Sequence, residues 1–253
     1  MRYPRRVILV VALTLVLAGC GGSGSGRAEL TVSAAASLKR AFTQYGHSFK
    51  ASRVRLSFGG SDILATQIEQ GVKPDVFASA NLTLPQMLYA KGLTEKPVAF
   101  AANTLVLAVP AGATRLRSLA DLERPGVTVA IGSPTVPVGA YTRKVLARLG
   151  GSQEKQILAN VRSQEPDVSG IVGKLAQGAV DAGFTYLTDV KATAGKLRAI
   201  TLPAALQPVV GYAVAIVKGG AHAAAARQFI AGLLTGAGRG DLLGAGFLPP
   251  RGQ

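Results

Sequence analysis

Apolar and polar positions along this chain follow two rhythms. Short, mostly apolar runs of strand length occur at Glu29–Ala34, Val54–Phe58, Val76–Ala80, Thr104–Val109, Val127–Ile131, Ala182–Tyr186, Leu197–Thr201 and Tyr212–Val217. Between most of them lie longer stretches whose pattern predicts helices: Leu38–Phe49, Ile63–Gln70, Thr83–Ala90, Val138–Leu149, Val168–Gln177 and Ala223–Leu234. Gly71, Gly92, Gly150 and Gly178 follow four of these helices, where a helix C-cap is expected. Strand–helix alternation predicts an α/β fold with open, mostly parallel sheets. Two apolar runs bounded by turn residues, "ANTLVLAVPAG" at 102–112 and "VVGYAVAIVKGG" at 209–220, flank a middle section. A chain that leaves one lobe at the first and returns at the second forms two lobes joined by two crossing strands. The expected division puts residues 29–104 with 216–253 in one lobe and 105–215 in the other.

The start of the chain breaks this rhythm. "RYPRR" precedes an apolar run from Val7 to Ala18, too short for a membrane span of about 20 residues. A basic start, short apolar run and small-residue site are the pattern of an export signal, expected at residues 1–19. Its ending, Leu17-Ala18-Gly19-Cys20, resembles a bacterial lipobox, in which the cysteine is lipidated. Cys20 is the only cysteine in the chain, so it has no internal disulfide partner, and lipidation gives it a use. "GGSGSG" at 21–26 reads as a flexible tether in the segment 20–28 between anchor and fold. Its glycines follow no strand and so make no dinucleotide site.

The net charge is +15. Arg2, Arg5 and Arg6 belong to the export signal, which leaves +12 on the remainder. Lysines and arginines are scattered, not clustered as in nucleic-acid patches, and the aromatic content of 6% supplies no stacking platform. Nucleic acid is therefore not an expected partner. A basic surface raises encounter rates with an anion or an anionic bilayer.

Candidate chemistry lies at the strand-to-helix turns. "LTVSAAASLKRAF" (30–42) and "LSFGGSDILATQI" (56–68) pass from strand to helix through small residues, with Ser37 and Ser61 at the helix mouths. A helix start has unpartnered N–H groups and partial positive charge, and small residues let a ligand reach that backbone. Together they make an anion site without a formal cation; a lone turn of this kind is also explained by a plain N-cap serine. The middle section supplies counterparts in "SPTVPVGAYTRKVL" (133–146), "EPDVSGIVGKL" (165–175) and "DAGFTYLTD" (181–189), which place Val138 and Val168 at helix starts and Tyr186 at a strand end.

The ordered set "AAASL" (34–38), "FGGSDILATQIEQG" (58–71), "PDVFASAN" (74–81), "VPVGAY" (136–141), "DVSG" (167–170) and "FTY" (184–186) resembles the molybdate-binding proteins of ABC importers, which are two-lobed periplasmic binding proteins of the type II class. The resemblance runs from about Glu29 to the end. It implies an oxyanion, molybdate or tungstate, held by the Ser37 and Ser61 hydroxyls, by the Ser61, Val138 and Val168 amides and by the Tyr186 hydroxyl. No cofactor or free metal ion is implied. It also implies a monomer, lipid-anchored to the outer face of the cytoplasmic membrane, that delivers its cargo to an ABC permease with a separate ATPase subunit; the chain has no Walker A motif of its own. Asp62 stands where that family usually has a small residue, and Val138 where it has alanine.

Rival expectations remain open at this level. A binder of sulfate, thiosulfate or phosphate shares the plan, and Asp62 would accept a phosphate proton. A hydrolase with Ser61 as nucleophile lacks a Gly-x-Ser-x-Gly elbow, and the two histidines, His47 and His222, have no catalytic context. No spacing of His, Cys or carboxylates builds a metal site. "RGD" at 239–241 is expected at the start of a helix, poorly displayed for adhesion.

Overall fold

The computed structural model describes residues 28–250; the expected export signal, Cys20 and most of the tether lie outside them. The strands are β1 (Glu29–Ala35), β2 (Arg53–Gly59), β3 (Val76–Ser79), β4 (Val98–Asn103), β5 (Leu105–Pro110), β6 (Val129–Gly132), β7 (Val161–Glu165), β8 (Ala182–Tyr186), β9 (Leu197–Thr201) and β10 (Val210–Ile216). The helices are α1 (Lys39–Ser48), α2 (Ser61–Glu69), α3 (Thr83–Ala90), α4 (Pro137–Leu149), α5 (Gly151–Ala159), α6 (Val168–Ala176), α7 (Leu187–Lys191), α8 (Ala223–Thr235) and α9 (Ala237–Ala245). A 3₁₀ turn, Ala36–Leu38, links β1 to α1.

The strands form two five-stranded sheets, ordered β2-β1-β3-β10-β4 and β7-β6-β8-β5-β9. In each, four strands run in one direction and one, β10 or β5, is inserted antiparallel. The centre strands β3, β6 and β8 are buried along their whole length, as strands covered on both faces must be. The edge strands β2 and β7 alternate in exposure.

Both lobes repeat one fastening. The Asp75 carboxylate accepts from Thr31 N and Oγ1 (2.7 and 2.8 Å) and ties β3 to β1. Asp181 does the same with Thr128 N and Oγ1 (2.8 and 2.7 Å) beside β8 and β6. The first lobe adds His222, whose backbone N–H donates to Asp75 Oδ1 (2.7 Å).

The lobes meet at two crossings. Thr104 alone separates β4 in the first sheet from β5 in the second, and residues 202–209 lead back from β9 to β10. Gln207 Nε2 donates to Leu105 O (3.1 Å) and holds the crossings together. The return differs from the expected boundary at residue 216: all of Val210–Ile216 already pairs within the first sheet, because its apolar run fills the slot between β3 and β4. Phe42, Phe229, Tyr212 and Tyr186 are among the largest fully buried side chains, each such apolar group contributing about 1.5–3 kcal/mol. Edge-to-face ring contacts link Phe100 to Tyr212 (6.2 Å) and Tyr212 to Tyr186 (6.0 Å), so packing in the first lobe reaches the cleft.

Candidate oxyanion-binding site

The carboxyl ends of β1, β2, β6 and β8 converge on one cavity between the lobes. Its lining includes Ser37, Gly60, Ser61 and Ala80 from the first lobe and Val136, Pro137, Val138, Asp167, Val168 and Tyr186 from the second. The enclosed space is small, about 10 Å³, roughly the minimum that one water needs and far below the ~300–1,000 Å³ of pockets for drug-sized ligands. All five residues expected at the site, Ser37, Ser61, Val138, Val168 and Tyr186, line this cavity, and among the described residues no lysine, arginine or histidine does. Lys39 and Arg40 line a separate groove behind Ser37.

Each donor has a local cause. In α2 the N-cap is Gly60 and Ser61 is the first residue, so its amide has no intrahelical partner. Ala80 N–H donates to Ser61 Oγ (3.1 Å) from the fold side, which leaves the serine hydrogen for the cavity. In α4 Pro137 occupies the first position and has no N–H, which makes Val138 the first amide of the helix. In α6 the Asp167 side chain caps the amides of Ser169 and Gly170 (2.7 and 3.3 Å), leaving the Val168 amide as the uncapped one. Tyr186 ends β8, is 1% exposed, and its hydroxyl has no hydrogen-bond partner among the described residues. Burial, with Tyr212, Tyr141 and Asp189 nearby, pushes its pKa well above 10, so it stays a protonated donor.

Two carboxylates near the cavity accept hydrogen bonds from the backbone. Asp167 turns Oδ1 to its two helix amides. Asp189 accepts from Tyr186 N (3.1 Å), and burial pushes its carboxyl up to about 7 despite that hydrogen bond. Asp62, the departure from the family pattern, does not line the cavity. Its Oδ2 accepts from Thr135 Oγ1 (2.5 Å) across the cleft, while its Oδ1 is buried beside Gly60 with no hydrogen-bond partner among the described residues. Asp167 and Ala80 were missed from sequence; an aspartate directly ahead of "VSG", at the N-cap position, is the signal that would have found the first.

A nucleophilic role for Ser61 finds no partner here. His47 is exposed near the end of α1, and His222 precedes α8 beside Asp75, away from the cavity. Among the described residues no three His, Cys, Asp or Glu cluster to hold a metal ion. Arg239 to Asp241 lie in the first turns of α9.

Comparison with known proteins agrees with this geometry. Residues 30–248 match the family described as bacterial extracellular solute-binding protein. The molybdate-binding protein ModA of Mycobacterium tuberculosis is 39% identical over 235 residues, covering 90% of this chain and 88% of that protein. The periplasmic molybdate-binding protein of Azotobacter vinelandii superposes with a TM-score of 0.79 at 24% identity, covering 88% of this chain and all of that one. The sulfate-binding protein SubI of Mycobacterium tuberculosis superposes at 0.76 with 22% identity, covering 88% and 87%, so the fold alone does not choose the anion. With hydroxyls and helix-start amides gathered between two lobes, and with matches that span nearly the whole described chain, the protein belongs to the bacterial extracellular solute-binding proteins, in the family of the molybdate-binding protein ModA.

Proposed function

We propose that this chain captures molybdate, and tungstate with little discrimination, between its lobes and delivers it to an ABC permease. The observation that carries the reading is the cavity's chemistry: neutral donors converge from both lobes, one of them a buried hydroxyl without a partner. A bare, fully deprotonated tetrahedral dianion needs donors on every side and offers none. Each hydrogen bond to a charged group is worth about 1.5–3 kcal/mol, so five to seven of them offset desolvation and closure and leave sub-micromolar binding. A protonated phosphate would bring an O–H to a site whose hydroxyls and helix-start amides donate, and the Asp167 carboxylate in the lining already has Oδ1 engaged by two helix amides. Sulfate, being smaller, would stretch the same donors. Because donors from both lobes meet only when the lobes are closed, the ligand shifts the protein toward that form, which is the form that docks on the permease. Cys20 anchors the protein, as a monomer, to the outer face of the membrane.

The test is calorimetric titration of the lipid-free protein with molybdate, tungstate, sulfate and phosphate. Molybdate and tungstate bind alike and well ahead of the others. Ser61→Ala and Tyr186→Phe each weaken molybdate roughly 10- to 100-fold. Tyr186→Phe leaves the ligand-free protein as stable or more so, since the hydroxyl it removes is unpaired there. Unchanged affinity in both variants refutes the site, and preferential binding of sulfate or phosphate refutes the ligand.

A further inference from the structure

Ser37 is the one site hydroxyl whose hydrogen has a competing destination, since its Oγ lies 2.9 Å from the Tyr212 hydroxyl and either could donate. The surrounding hydrogen bonds decide which one does. Thr104 N–H donates to Asn103 Oδ1 (2.9 Å), and because a backbone N–H can only donate, this fixes which end of the Asn103 amide is oxygen. Asn103 Nδ2, which has only hydrogens to offer, then faces Thr188 Oγ1 (2.8 Å) and the Tyr212 hydroxyl (3.4 Å). Tyr212 accepts there, and its single hydrogen goes to Ser37 Oγ. The Ser37 hydrogen is excluded from that contact and left for the cavity. Asn103 and Tyr212 are both buried, so no solvent competes for these groups.

We propose that Asn103 and Tyr212 are positioning residues that fix the Ser37 hydroxyl as a donor toward the bound anion, and that they thereby help reject anions carrying a proton. The relay starts at Thr104, the residue joining the two sheets, so the polarity of the site is set at the crossing between the lobes. This rests on the oxyanion reading above.

The test compares molybdate with hydrogen phosphate, a dianion of equal charge that carries one proton, by calorimetry near pH 8 on the wild type, Ser37→Ala, Tyr212→Phe and Asn103→Asp. In Asn103→Asp the new carboxylate draws the Tyr212 hydrogen, Ser37 donates back to Tyr212, and a lone pair faces the anion. Molybdate affinity falls at least 100-fold, while the molybdate-to-phosphate ratio falls at least tenfold. The added charge acts on both dianions, so the ratio isolates the reversed hydroxyl. Tyr212→Phe, which keeps the ring packing, weakens molybdate about three- to tenfold and lowers the ratio in the same direction, so the test survives if the aspartate variant fails to fold. If Ser37→Ala loses affinity while the other two keep the wild-type ratio, the relay is overturned and the site stands. A wild type that does not bind molybdate overturns both.

Discussion

Asp62 shows how much one residue's orientation matters. A carboxylate next to Ser61 would repel an anion if it faced the cavity, but Oδ2 is taken by Thr135 from the second lobe. The contact exists only while the lobes are together, so it acts as a weak latch. Thr135→Val removes the donor and leaves the charge; both groups are near the surface, so the expected cost is at most about 1 kcal/mol, a two- to fivefold loss of molybdate affinity by calorimetry. No loss would mean that the latch contributes nothing. The five residues that line the cavity were singled out in the sequence, Ser37 and Ser61 by turns with small neighbours and Val138, Val168 and Tyr186 through the family resemblance. The partners that orient them were not: Ala80, Asn103 and Tyr212 lie between 19 and 175 residues away from the hydroxyls they serve or relay to, and nothing local marks them.

At the scale of elements, the helix starts do the binding work and their neighbours set how closely the lobes approach. Gly60, the N-cap of α2, faces the Pro166 carbonyl of the second lobe so closely that a β-carbon there would lie 2.3 Å from that oxygen. Backbone cannot swing aside as a side chain can. Gly60→Ala therefore obstructs the closed arrangement and spares the open one: the unliganded melting temperature holds within a few degrees, while the shift on adding molybdate largely disappears. An unchanged shift would show that closure does not bring these groups together. Elements missed from sequence were missed for separate physical reasons. β7, "VRSQE", is an edge strand with one apolar residue, and α5, "GSQEKQILA", begins at a Gly-Gly pair that reads as a stop. β4 was not predicted: the apolar run read at 102–112 takes in only its last two residues, and only Thr104 separates it from β5. The C-cap glycines were legible, and all four have positive φ, the conformation that glycine alone adopts freely.

Across the whole molecule, two lobes of equal strand order enclose one small cavity between them. The shared plan extends to the Thr31–Asp75 and Thr128–Asp181 fastenings, a repetition too sparse to see in sequence. Burial raises the Asp75 pKa, but the Thr31 and His222 hydrogen bonds outweigh it and hold the carboxyl below its ordinary value. A carboxyl depressed on folding contributes stability that is fully present above its unfolded pKa of about 3.9 and is lost as pH falls through the folded value. Urea unfolding measured from pH 6 down to 2 therefore shows stability dropping below about pH 4, with a shallower drop in Asp75→Asn. Equal slopes would remove Asp75 from the account.

The central claim is that neutral groups from both lobes, without any cation, surround a deprotonated tetrahedral anion. The most direct measurement is a crystal structure grown with molybdate and phased on molybdenum anomalous scattering. The account predicts one peak in the interlobe cavity, with molybdate oxygens within hydrogen-bond distance of Ser37, Ser61 and Tyr186 hydroxyls and of the Val138 and Val168 amides. A peak elsewhere, or an anion held by lysine or arginine side chains, would contradict it.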